Sequence, residues 1–220
     1  MLVDSLEADL IMLRRSLNAM AEKAEARVDA AIDAWLSNDY DLADSLRFAD
    51  DEMDRLDVEV EELCQEILEN HHPRGPELRY VLGAIRLTTQ LERMADLARS
   101  IAKRVLKHQN TPAVLLPEPA REMGGLVRSM MRRVRLAIEG EDAAVARDVR
   151  RSDPAVDEQN RAIYAWATKA LAQAPPNAEL YLDVVVLVRA LERIGDLCAN
   201  AAEDVIFVVG GSIVRHTPIR

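Results

Sequence analysis

The chain has 220 residues, a formal net charge of −10 at pH 7 and only 4% aromatic residues. The acidic balance argues against nucleic acid as a partner, because contacts with phosphate groups need a surplus of Lys and Arg. It favours cations and basic surfaces instead. The length allows one large domain, or two of roughly 100 residues that each bury a core.

The composition favours helices and a cytoplasmic location. Ala, Leu, Glu, Arg and Val dominate, whereas strand-forming aromatic clusters are rare. The N-terminus carries acidic residues early and no long apolar stretch, so we expect no signal peptide. The longest apolar stretches, near residues 184–188 and 205–209, are too short for the roughly 20 residues of a membrane span. Cys64 and Cys198 occur singly, which is typical of core residues in a reducing compartment.

Apolar residues recur at steps of three and four along the chain, which predicts an all-α fold of six long helices. This spacing forms the heptad-like seam of helices that pack nearly parallel in a bundle. The first three seams contain Leu6, Leu10, Leu13, Leu17 and Met20, then Leu46, Ala49, Met53, Leu56, Val60, Leu63 and Ile67, then Leu87, Leu91, Met94, Ala98, Ile101 and Val105.

Short breaks separate these helices and set their order. Helix-capping and turn residues occur at residues 37–39, at residues 72–76, at Pro112 with residues 117–119, at residues 140–142, and at residues 175–177. Connections this short join antiparallel neighbours. We therefore expect two up-down-up three-helix bundles, spanning residues 1–110 and 111–220.

The second half of the chain repeats the first. LERMADLARSIAKRV at 91–105 aligns without a gap with LERIGDLCANAAEDV at 191–205, and seven of the fifteen positions are identical. The preceding helix repeats as well, with DDEMD at 50–54 opposite DPAVD at 153–157. Two copies of one bundle, related by a pseudo-twofold, are the simplest explanation.

The repeated segments carry pairs of carboxylates four residues apart. Such pairs share one helix face, and their repulsion costs about 0.2–0.5 kcal/mol per pair. If two pairs meet, a bound cation, a raised pKa or nearby arginines must balance them. The pairs are Asp50 with Asp54, Glu92 with Asp96, Asp153 with Asp157, and Glu192 with Asp196, and the amide of Asn200 extends the last row.

The heptad frame places these carboxylates outside the buried seam. With Leu91 at position a, Glu92 is at b and Asp96 at f, so we expect surface patches between the second and third helices of each half. The simpler interpretation is that these acids belong to a solvated helix face. However, they recur in both halves at outward positions where packing does not dictate the residue type, which favours a site. Oxygen ligands alone suit hard or borderline divalent cations such as Mg²⁺, Mn²⁺ or iron.

Other candidate sites are weaker. His71 and His72 precede Pro73 in a turn, where a solvated loop is a better interpretation than a ligand pair. We expect Pro154 to kink or restart its helix, because proline removes one backbone hydrogen bond. A basic run could bind an acidic partner or anionic lipid, or could pair with nearby acids. It comprises Arg128, Arg132, Arg133, Arg135, Arg147, Arg150 and Arg151.

With LERMAD and LERIGD, and DDEMD and DPAVD upstream of them, the chain resembles the PhoU family of phosphate-signalling proteins along nearly its whole length. The resemblance implies paired three-helix bundles that bind metal through these acids, with iron, Mn, Mg or Zn as candidate ions. It implies a negative regulator that links the ATP-binding subunit of a phosphate ABC transporter to a membrane sensor histidine kinase, commonly as a homodimer. Such a protein lies at the membrane only through its partners.

Carried over to this sequence, the family's metal ligands fall on the acid pairs and on Asn200. The first half has Ser100 where the second has that amide. The expected function is a non-enzymatic adaptor. A metal-dependent enzyme lacks support, because the Glu-x-x-His pairs of di-iron bundles and a nucleophile motif are missing. A helical scaffold without any ligand is the remaining alternative.

Overall fold

The computed structural model describes residues 2–47, 50–111, 115–173 and 177–214, without the side chains of residues 2–4, 50 and 51. These residues form helices and connecting turns, and they contain no strand, which confirms the predicted all-α fold. The helices are α1 (Leu2–Ser37), α2 (Tyr40–Ser45), α3 (Asp50–His71), α4 (Gly75–Lys107), α5 (Glu118–Glu139), α6 (Ala143–Gln173) and α7 (Ala178–Gly210).

The short helix α2 was not predicted. The Asp39 side chain caps it by accepting a hydrogen bond from the backbone N–H of Leu42 at 3.0 Å. The long second helix was predicted to include Leu46, but Leu46 lies in a turn and α3 begins at Asp50, while Ala49 lies outside the described residues. The apolar spacing continues across the turn because Leu46 packs against the core as well.

The other helix boundaries follow the predicted breaks. Pro76 occupies the first turn of α4. The Asp142 carboxylate caps α6 by accepting hydrogen bonds from the N–H groups of Ala144 and Val145, at 2.7 and 3.1 Å. Pro117 precedes α5 directly. Residues Pro112, Pro175 and Pro176 lie outside the described part of the chain.

The prediction that Pro154 restarts its helix is wrong, because α6 runs unbroken from Ala143 to Gln173. Pro154 is exposed, so its ring faces solvent and the carbonyl group that loses its partner can bond to water. The buried side chains of Val149 and Val156 hold the helix against the core on either side of the proline.

The buried apolar residues of both halves form one continuous cluster. Leu13, Met94 and Ile194 are all 0% exposed. The buried apolar side chains of residues 1–110 and 111–220 therefore pack into one core, and the division of the chain into these two bundles stays a prediction. Within the described residues, no helix is long and apolar enough to cross a membrane.

The equivalent helices α4 and α7 pack antiparallel at the centre of the molecule. Arg86 near the start of α4 faces Asp204 near the end of α7 at 3.7 Å. At the opposite ends, Lys107 contacts Asp183 at 2.8 Å. This arrangement brings the third helices of the two repeats side by side, and with them the repeated polar residues.

Candidate functional site

The acid rows of α6 and α7 converge in the second half. The pKa of Asp153 is raised to about 6, first by burial and then by the negative charges of Asp196, Asp157 and Glu192. The pKa of Asp196 is also raised, by burial and by the charge of Asp157. In each case a charge on one helix raises the pKa of a carboxyl on the other. The carboxylates of α6 and α7 therefore repel one another, as the sequence predicts.

Glu192 is a largely enclosed member of this acid patch. Its side chain is 14% exposed, and Oε1 lies 3.3 Å from Arg189 Nη1. Among the described residues, no group hydrogen-bonds to its buried Oε2. Burial and the charge of Asp196 raise the pKa of Glu192, against the opposing charge of Arg189. A buried carboxylate oxygen without a partner is costly unless a proton or cation joins it.

The first half differs from this pattern. Glu92 has a raised pKa, caused by burial and then by the charges of Asp96 and Asp57. Asp96 is held by Arg99 at 2.7 Å. The predicted partner Asp54 is exposed. The acid of α3 whose charge contributes to the raised pKa of Glu92 is Asp57, three residues after the position that the repeat indicates.

Asp50, the remaining predicted ligand of the first half, is the first residue of α3, and its side chain lies outside the described part of the structure. Asp57 is not among the residues predicted from the sequence, although the sequence carries a signal for it. Asp54, Asp57 and Glu61 recur at helical spacing and form one row. Repulsion from Glu61 and Asp54, added to burial, raises the pKa of Asp57.

The two acid patches border a common groove between α4 and α7. This central groove has a volume of about 670 Å³, and residues exactly one repeat apart line it from both sides: Arg93, Asp96, Leu97 and Ser100 of α4 and Arg193, Asp196, Leu197 and Asn200 of α7. The predicted patches were assigned separately to each half. The structure places Asp96 and Asp196 in one surface feature on the pseudo-twofold of the repeat.

The acids offer ligand atoms that suit a metal ion, but their side chains are not arranged closely around one point. Among the described side chains, no group of three or more His, Cys, Asp or Glu is gathered closely enough to hold a metal ion. The donor set of the second half consists of oxygens, which hard divalent cations prefer. Its mutual repulsion and the unpartnered Glu192 Oε2 both favour a cation. In the first half, Arg99 already balances Asp96.

The basic run of α5 and α6 is partly paired with acids, in line with one of the predicted alternatives. Arg135 contacts Glu25 at 2.6 Å, and Arg150 contacts Glu203 at 3.1 Å. Arg128 binds Asp33 of α1, and Arg151 binds Asp148. The contacts of Arg128, Arg135 and Arg150 join different helices, whereas Arg151 pairs within α6.

The expectation of a solvated histidine pair is wrong for His71. Its Nε2 lies 2.8 Å from Oδ2 of Asp9, and its side chain is 9% exposed. This contact joins the end of α3 to the start of α1. His72 is exposed and has a positive φ of 49°, a left-handed conformation that ends the helix.

The chain is all-helical and consists of two repeated three-helix units, and acids recur on the outer faces of equivalent helices. These features define a class of tandem-bundle proteins. The model of the PhoU domain matches residues 17–105 and 120–205. The chain therefore belongs to the PhoU family.

Curated relatives match along almost the whole chain. A phosphate-specific transport system accessory protein PhoU homolog of Pseudomonas putida is 29% identical over 216 residues, which is 97% of this chain and 84% of that protein. The homolog of Zymomonas mobilis is 30% identical over 213 residues, covering 95% of this chain and 88% of that protein.

Two crystal structures share the fold. The structure of PhoU from Pseudomonas aeruginosa superposes with a TM-score of 0.88 at 28% identity, over 94% of this chain and 99% of that one. The phosphate transport system regulatory protein PhoU from Streptococcus pneumoniae superposes with a TM-score of 0.82 at 23% identity, over 95% of this chain and 99% of that one.

Proposed function

We propose that this chain is an accessory protein of a phosphate transport system, which acts in the cytoplasm as a negative regulator of phosphate uptake and of phosphate-regulon signalling. The observation that carries the proposal is the match of relatives with that accessory name over 95% or more of the chain. Both repeats match the family model, so the whole bundle pair is available for this role.

We propose further that the chain works as an adaptor without catalysis. It joins the ATP-binding subunit of the phosphate ABC transporter to a membrane sensor histidine kinase, and it senses phosphate through the state of the transporter. The two cysteines support a non-catalytic role. Burial raises the pKa of Cys64 to about 12 and also raises that of Cys198, so neither thiol is a ready thiolate nucleophile.

A metal-binding role is proposed for the acid patch of α6 and α7. Glu192, Asp153 and Asp157 would hold a hard divalent or iron-type cation, with Asp196 and Asn200 at the edge of the central groove. A bound ion would relieve the repulsion among these acids and stiffen the contact between α6 and α7. The role of the ion is structural in this proposal, and a homodimer is compatible with it.

Purification of the tagged chain from its own host tests the adaptor role. The chain is expressed at its normal level and purified from phosphate-replete cells, and bound proteins are identified by mass spectrometry. We expect the transporter's ATP-binding subunit and a sensor histidine kinase among them. An untagged strain serves as the control. Recovery of neither component in replete cells would contradict the adaptor proposal.

A further inference from the structure

We propose that a groove formed by α4, α6 and α7 docks an acidic amphipathic helix of a protein partner. This arginine groove is defined by Leu97 of α4, Arg161 and Tyr164 of α6, and Val186, Arg189 and Arg193 of α7, and it has a volume of about 670 Å³. The inference rests on the adaptor function proposed above in taking a protein as the occupant.

The floor of the arginine groove offers apolar surface to a partner. Tyr164 is 61% exposed and Val186 is 45% exposed, although each lies next to other apolar side chains of α6 and α7. Adjacent exposed apolar side chains, rimmed by polar ones, are typical of interaction sites. An amphipathic helix would cover them with its own apolar stripe.

The charge of the groove selects an acidic partner. Arg161, Arg189 and Arg193 line it, and none of the described residues that line it is acidic. The chain as a whole carries a net charge of −10, so this surface is locally opposite in sign to the rest of the molecule. Arg189 is 68% exposed and makes a contact of 3.3 Å with Glu192, which leaves most of its guanidinium accessible. Carboxylates on a partner helix would pair with these arginines at the rim.

The length of the surface fits a helix. The arginine groove shares Leu97, Ser100 and Arg193 with the central groove, so the two are continuous. The acidic partner would lie along the arginine groove itself, because the central groove beyond it contains Asp96 and Asp196. The arginine groove follows α7 from Val185 to Arg193, which is roughly 13 Å at a rise of about 1.5 Å per residue, so about two and a half turns of a partner helix would fill it.

The overall acidity disfavours the other polyanionic ligands. A nucleic acid or an anionic membrane presents an extended negative surface, which the net charge of −10 would repel beyond the groove itself. A single helix with acids along one edge presents its charge only where the arginines lie. An acidic protein segment is therefore the occupant that matches both the local and the global charge.

A pair of synthetic peptides tests this proposal with the intact chain. Both peptides form a four-turn helix with a leucine stripe, and the positions that flank the stripe carry Glu in one and Lys in the other. Binding is measured by fluorescence anisotropy of the labelled peptide at physiological salt. We expect the Glu peptide to bind about tenfold or more tightly than the Lys peptide, and its affinity to fall as salt rises. Equal binding, or no binding of the Glu peptide, would overturn the proposal without the need for any variant.

Variants locate the site. Arg161→Ala with Arg193→Ala is expected to weaken binding of the Glu peptide by about tenfold, because two charge pairs are lost. Arg121→Ala with Arg132→Ala removes the same charge from exposed positions of α5, and we expect it to bind as the unmodified chain does. Equal effects of the two double variants would overturn the assignment to this groove.

Three further results test the groove assignment separately from the adaptor function. If light scattering shows a dimer that Arg161→Ala with Arg193→Ala abolishes, the groove is a contact between copies and the proposed occupant is wrong. If that double variant still co-purifies the transport components at normal yield, the adaptor function stands and the groove assignment fails. Failure of the unmodified chain to co-purify them counts against the adaptor function instead.

Discussion

His108 Nε2 lies 2.6 Å from Oδ2 of Asp183, where the end of α4 meets the start of α7. Lys107 donates to the same oxygen at 2.8 Å, and Arg104 donates to Oδ1. Asp183 is only 4% exposed. Burial alone would raise its pKa, but the hydrogen bonds from Lys107, His108 and Arg104 outweigh burial and hold the pKa below its ordinary value. One carboxylate of the second repeat thus gathers three side chains of the first.

We expect Asp183→Asn to lower the free energy of unfolding by about 2 kcal/mol. Breaking a buried ion pair costs more than this in a dry site, but these cations are partly solvated. Urea denaturation at pH 7 measures the change. Glu179→Gln is the matched control, because Glu179 contacts the same Lys107 Nζ at 2.7 Å but is 73% exposed. Removal of the Glu179 charge should change stability little, and equal losses in the two variants would contradict the stabilising role of the buried Asp183 carboxylate.

The raised pKa of Asp153 predicts a pH dependence of stability in the metal-free chain. Its folded pKa is about 6, against 3.8 for the unperturbed carboxyl. Between these values the folded chain holds a proton that the unfolded chain has released, so stability falls as pH rises through this window. Asp153→Asn should flatten the fall and add about 1–2 kcal/mol at pH 7, allowing for solvent screening.

Denaturation in a chelator at pH 4.5 and pH 7 measures this difference. Glu158→Gln provides the control, since Glu158 is an exposed acid of the same helix. A pH slope that Asp153→Asn leaves unchanged would show that the acids of α6 and α7 do not repel one another in the folded chain.

The close approach of α4 and α7 depends on Gly83. A Cβ atom at this position would overlap the side chain of Val208, which is itself buried. We expect Gly83→Ala to destabilise the fold by about 1–3 kcal/mol, since a branched valine has little room to move. Gly125→Ala in α5 meets no atom within 4 Å and should be neutral or stabilising by about 0.5–1 kcal/mol. Thermal unfolding of both variants tests the difference in sign.

The acid patch of α6 and α7 should bind metal more tightly than that of α3 and α4. We expect Glu192→Ala with Asp196→Ala to reduce the metal retained per chain and to leave the helical content intact, because both acids lie on the outer side of the core. Glu92→Ala with Asp96→Ala should reduce it less, since Arg99 already balances Asp96 at 2.7 Å. Elemental analysis after equilibration with Mn²⁺ measures both. Unchanged metal content in the Glu192 and Asp196 variant would remove the metal role.

The heptad pattern predicts the buried seam correctly because packing fixes which apolar residues face inward. Leu91 and Met94, assigned to positions a and d, are both 0% exposed. The repeat also predicts that equivalent residues share an environment, and Met53 and Val156 are 2% and 1% exposed. Residues outside the seam are less constrained, since a small rotation of a helix exchanges one outer position for another. This is how the charge of Asp57 contributes to the raised pKa of Glu92, although the repeat indicates Asp54.

Contacts between distant polar residues could not be predicted in this way. Asp183 stands alone among apolar neighbours, and its cations lie at least 75 residues away along the chain. An acidic residue within an apolar run indicates that its buried carboxylate needs a hydrogen-bonding partner, but the run does not identify that partner. The shared position of Asp96 and Asp196 in one groove likewise depends on how α4 and α7 cross, which the pattern within each helix leaves open.

Deletion of the chain in its host is the decisive test of the proposed restraint of phosphate acquisition. Expression of the phosphate transporter genes is measured in phosphate-replete cells with and without the chain, and a strain that carries the restored gene is the control. We predict that expression rises several-fold when the chain is absent and returns to the replete level on restoration. Unchanged expression and unchanged phosphate uptake in the deletion strain would contradict the proposed function.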